Sequence, residues 1–122
     1  MNRNVTASGL NVKIFADGAE IQKMVDLTAN PLVKGFTTNP TLMKQSGITD
    51  YEAFAREAIS SLAGYPISFE VFSDDFDEMY EQALMIASWG ENVYVKIPIT
   101  DTNGNSTAPL LRKLVAQNVK VN

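Results

Sequence analysis

The chain contains no cysteine and no histidine. Disulfides, thiolate metal sites, cysteine nucleophiles and histidine-based triads are therefore excluded, and so is a histidine general base. Chemistry must run on carboxylates, lysine, hydroxyls and backbone groups. The carboxylates show no metal-ligand spacing, so no metal site is expected. No run of lysine or arginine breaks a formal charge of -4, which argues against nucleic acid as a partner. No apolar stretch approaches the roughly 20 residues that span a bilayer. The opening MNRNVTASG lacks the apolar core of a secretory signal. A cytoplasmic protein is the expectation, with which the lack of cysteine is compatible.

What is present is the composition of one folded domain over residues 1–122, with 45% hydrophobic and 20% charged residues. Val12 to Ala16 reads as a strand closed by Asp17. Ile21, Met24, Val25 and Thr28 then recur at helical spacing until Asn30-Pro31. Val33 to Thr38 is a second strand closed by Asn39-Pro40, followed by a short turn or helix from Thr41 to Gln45. Tyr51, Phe54, Ala55, Ala58, Ile59 and Leu62 form a helical stripe, with Thr49 and Glu52 as its expected capping box and Gly64 as its stop. Ile67 to Phe72 is a third strand. An acidic first turn then opens a helix carrying Phe76, Met79, Tyr80, Ala83, Ile86 and Ala87 inward. Asn92 to Ile99 is a fourth strand, Pro109 to Gln117 a last helix, and VKVN the opening of a fifth strand. Apolar strands alternating with amphipathic helices predict a parallel α/β sheet covered by helices, in right-handed β-α-β crossovers.

One polar side chain stands near the end of each strand: Asp17, Asn39, Glu70 and Lys96. In a parallel β/α barrel these ends surround one pocket. Alternation places Lys13, Phe15 and Asp17 on one face of the first strand. Ser68 and Glu70 share a face of the third, and Tyr94 and Lys96 a face of the fourth. Lys96 stands between Val95 and Ile97, where burial favours the neutral amine, the form that attacks a carbonyl. A structural ion pair with Glu70 or Asp17 and a plain binding role are the alternative readings. Asp17 and Glu70 are the candidate proton carriers, with helix N-capping as the plainer role for Asp17. Asn39 is either a turn-former or a donor to a substrate hydroxyl. Thr37 and Thr38 are strand formers or substrate contacts, and Ser68 is barrel filler or a contact. Trp89 and Tyr94 read as packing.

At these residues the chain resembles the transaldolase family, including its small members and the fructose-6-phosphate aldolases. FADGAE, with Asp17, is similar to the family's first-strand motif. GFTTNPTLM, with Asn39, is similar to its TTNP motif. SFEV, with Glu70, is similar to the strand carrying the glutamate of transaldolases, where the aldolases tend to have glutamine. VYVKIPIT resembles the Schiff-base strand.

The resemblance implies a (β/α)8 barrel of the TIM type, here its first four units and the start of strand five. It also implies a cofactor-free enzyme acting on sugar phosphates. Lys96 would form an imine with C2 of a ketose such as fructose 6-phosphate or sedoheptulose 7-phosphate. Asp17 would act on the C4 hydroxyl, Glu70 would move protons through a water, and Asn39 would hold the dihydroxyacetone unit, which is transferred in the non-oxidative pentose phosphate pathway. The alternatives are a fructose-6-phosphate aldolase and an inactive half-barrel interaction module. A deoxyribose-phosphate-type aldolase is disfavoured by TTNPT. A full barrel takes about 250 residues and eight strands. Self-association or pairing with a second barrel half is therefore expected.

Overall fold

A computed structural model describes residues 6–122. Its elements are β1 (Ile14–Asp17), α1 (Ile21–Leu27), β2 (Val33–Thr37), α2 (Pro40–Gln45), α3 (Tyr51–Ser61), β3 (Ile67–Glu70), α4 (Phe76–Ala87), β4 (Val93–Lys96) and α5 (Ala108–Ala116). The four strands form one sheet in chain order, β1-β2-β3-β4, and every neighbouring pair is parallel. These are four β/α units of a TIM-type barrel. The start of a fifth strand is present too: Val121 bridges Val95 in parallel, and the Asn122 N–H donates to the Val95 carbonyl at 2.9 Å.

Strand alternation divides the sheet into two faces. Phe36, Ile67, Phe69, Val93, Val95 and Ile97 are buried against the helices. Leu62, Met79, Ala83, Ile86, Leu110 and Leu114 meet them from the helical layer. Fully burying one such large side chain stabilises by roughly 1.5–3 kcal/mol, so this seam dominates the fold. Trp89 packs as expected, with its ring 5.7 Å from Tyr51 and 6.1 Å from Phe69.

The strands are shorter than the apolar runs suggest. β4 ends at Lys96, just before Ile97-Pro98, and β3 ends at Glu70 rather than Phe72. Pro98 has no N–H to extend a ladder. The start of α3 also differs from the expected capping box. Asp50 is its N-cap and accepts from the Ala53 N–H at 3.0 Å. Glu52 turns instead to Arg56, one helical turn on, at 2.8 Å. Two capping residues stand side by side in Thr49-Asp50, and the Asp50 carboxylate is the one in position. Gly64, just beyond α3, has φ +90°, a left-handed conformation that favours glycine.

Candidate active site

The opposite face of the sheet is open and forms one wall of a cleft of about 600 Å³. Lys13, Phe15, Thr37, Ser68, Tyr94, Lys96, Val121 and Asn122 line it. Lys96 is half-buried, and its ammonium donates to Thr37 Oγ1 at 2.9 Å. That bond crosses β3, because Thr37 lies on β2 and Lys96 on β4. The ion pairs found among the described residues are Lys23–Glu20 and Arg56–Glu52. Lys96 thus holds a neutral hydroxyl, not Glu70 or Asp17.

Glu70 is nevertheless the direct strand neighbour of Lys96, since the β3–β4 register pairs the two residues. Register partners project from the same face of a sheet, so the carboxylate and the amine leave the wall side by side. Glu70 lines an adjoining depression of about 360 Å³ with Thr41, Ser73, Pro98 and Thr100. Asp17 is the register partner of Thr37 and lines a third depression of about 380 Å³ with Lys23, Gln45 and Ser46. It is exposed and does not cap α1, whose N-cap is Glu20. The register aligns Asp17 and Thr37 with Ser68, two residues below the Glu70–Lys96 pair, and Asp17, Glu70 and Lys96 line three separate depressions near the strand ends.

Asn39 caps α2, accepting from the Leu42 N–H at 2.9 Å through its side-chain oxygen. The cap uses the oxygen and leaves the amide N–H groups available to a ligand. Ser68 is buried, and its hydroxyl accepts from the Asn122 amide at 2.9 Å, which ties β3 to the fifth-strand segment. Thr38 lies elsewhere. It is fully buried, alternates away from Thr37 and does not line the cleft, and its hydroxyl has no hydrogen-bond partner among the described residues.

Other residues at the site escaped the sequence reading. Tyr94, placed on the Lys96 face by strand alternation but read as packing, lines the cleft half-buried. Tyr51, taken only as part of a helical stripe, donates its hydroxyl to the Glu70 carbonyl at 2.7 Å. Burial, and then the neighbouring Glu70 charge, push the Tyr51 phenol well above the ordinary tyrosine range. No group of three or more acidic side chains able to hold a metal occurs among the described residues. No helix among them is long and apolar enough to cross a membrane.

Comparison with known proteins identifies a family. The family model described as "Transaldolase/Fructose-6-phosphate aldolase" matches residues 14–122. A probable transaldolase of Dehalococcoides mccartyi is 39% identical over 89 residues, covering 73% of this chain and 41% of that protein. One from Maridesulfovibrio salexigens is 37% identical over 108 residues, covering 88% and 50%. One from Thermoplasma volcanium is 37% identical over 113 residues, covering 91% and 48%. The chain thus spans half or less of the length of these curated relatives. Matched by the family model from its first strand to its last residue, the chain belongs to the transaldolase/fructose-6-phosphate aldolase family.

Proposed function

We propose that Lys96 is the Schiff-base lysine of a transaldolase reaction on sugar phosphates, carried out in the cytoplasm as part of the pentose phosphate pathway. The observation that carries this reading is the setting of Lys96. It stands on the open face of the sheet, opposite Glu70 in register, with its amine on a hydroxyl instead of in an ion pair. An amine locked to a carboxylate would have to break that pair before attacking a carbonyl.

The steps follow from these positions. The Lys96 amine adds to C2 of the ketose, and the carbinolamine loses water to give an iminium. Glu70, beside it, delivers and recovers the protons of that exchange through a water. Asp17 takes the proton from the C4 hydroxyl. The C3–C4 bond breaks, its electrons pass into the iminium to give an enamine, and the aldehyde leaves. The enamine carbon then attacks an acceptor aldehyde, and hydrolysis frees the lysine. Asn39, Thr37 and Ser68 would hold substrate hydroxyls and the reacting amine. Thr38 can serve only through the backbone it packs.

Glu70 supports transfer over simple cleavage, because fructose-6-phosphate aldolases resemble this strand with glutamine in its place. The open wall and the length of the relatives support a second barrel half, from another segment or another copy, closing over the cleft. Incubation with fructose 6-phosphate and borohydride tests the reading. A trapped adduct at Lys96, absent from K96A, is expected. A folded chain that traps nothing would sink the proposal that this chain forms the imine.

A further inference from the structure

The β2–β3 ladder contains a gap beside Glu70. The Phe36 N–H donates to the Pro66 carbonyl at 2.9 Å, and the Thr38 N–H to the Ser68 carbonyl at 3.1 Å. Donors in a parallel ladder advance by two residues, so the next pair is residue 40 with the Glu70 carbonyl. Residue 40 is proline, which has no N–H. At the same point the chain turns into α2 under the Asn39 cap. The Asn39-Pro40 step that ends β2 therefore deprives Glu70 of its backbone partner. The Tyr51 hydroxyl fills the gap at 2.7 Å. Its ring is held by Phe69, Phe72 and Trp89, with centroids 6.4, 5.8 and 5.7 Å away.

The residues after Glu70 are tied just as closely. The Val71 N–H donates to the carbonyl of Lys96 itself at 3.2 Å. The Phe72 and Ser73 N–H groups share the Gln82 side-chain oxygen, at 3.0 and 3.1 Å. Without the Tyr51 bond, the peptide joining Glu70 to Val71 would be held from the β4 side alone, through the Val71 N–H, with its carbonyl unpartnered on the β2 side. We propose that Tyr51 is a positioning residue for Glu70, its hydroxyl replacing the strand bond that Pro40 cannot make and so fixing the carboxylate beside Lys96. The inference rests on the role proposed for Glu70. The raised phenol fits it, because Tyr51 stays a donor throughout the pH range of imine chemistry.

Tyr51→Phe keeps the ring and removes only the hydroxyl. With glutamate labelled in its side-chain carboxyl carbon, the Glu70 resonance (identified by its loss in E70Q) can be titrated in the whole chain. Y51F is expected to displace the Glu70 midpoint while circular dichroism stays unchanged. An unmoved midpoint would overturn the proposal.

The rate of borohydride-trapped imine formation gives the second arm. Y51F should slow it about tenfold, as small misplacements of catalytic groups do, and should slow E70Q no further. Equal slowing in both backgrounds means that Tyr51 does not act through Glu70. A wild-type chain that traps nothing refutes the imine reading, and the titration still decides the role of Tyr51.

Discussion

The two faces of the sheet share a backbone and differ in almost everything else. On the helical face Phe36, Ile67, Phe69 and Val95 are completely buried. On the open face Phe15 is 38% exposed, while Tyr94, Glu70 and Lys96 are half-buried. Alternation along four short strands lets one face hold the fold and leaves the other free for chemistry. The difference predicts that substitutions on the helical face cost stability, and that those on the open face cost reactivity.

The largest effect is expected from Phe69→Ala, which empties the centre of the helical face. Urea unfolding should show a loss of about 3–5 kcal/mol. Gly35→Ala is an exception that sharpens the rule. An added Cβ there would stand 2.6 Å from Cε2 of Phe15 and 2.8 Å from the Pro66 carbonyl, the acceptor that anchors Phe36. A loss of about 1–3 kcal/mol is expected. Adding Phe15→Ala should restore only part of it, since the carbonyl remains.

Tyr51 reaches from the helical layer to the strand end and gives the comparison a pH axis. Its phenol is raised in the folded state, so its contribution is complete below the ordinary value of about 10 and is lost as pH rises above it. Stability should fall by up to about 1.4 kcal/mol per pH unit in that alkaline range. Y51F should flatten this part of the profile in denaturant titrations. The smallest stability effect belongs to Lys96→Ala, within about 1 kcal/mol, because its one bond to Thr37 borders an open cleft. A loss as large as that of Phe69→Ala would erase the distinction between the faces.

The features legible in the sequence were those set by local periodicity. The period of two on β3 and β4 separated Ile67, Phe69, Val93 and Val95, all buried, from Glu70, Tyr94 and Lys96, all half-buried, with Ser68 the buried exception on the open face. The four polar strand ends were found for the same reason. What could not be read depends on distance across the sheet. The Lys96–Thr37 bond joins residues 59 positions apart. The Tyr51–Glu70 bond exists because a proline on a third segment withdraws a donor. The cap of α3 was misplaced by one residue because Thr49 and Asp50 offer similar chemistry.

Peptide mapping of the borohydride-reduced chain, after incubation with fructose 6-phosphate, tests the central claim most directly. The prediction is a single modified site, Lys96, with the exposed Lys13, Lys34 and Lys120 unmodified. Adducts spread over those surface lysines, with Lys96 intact, would contradict it.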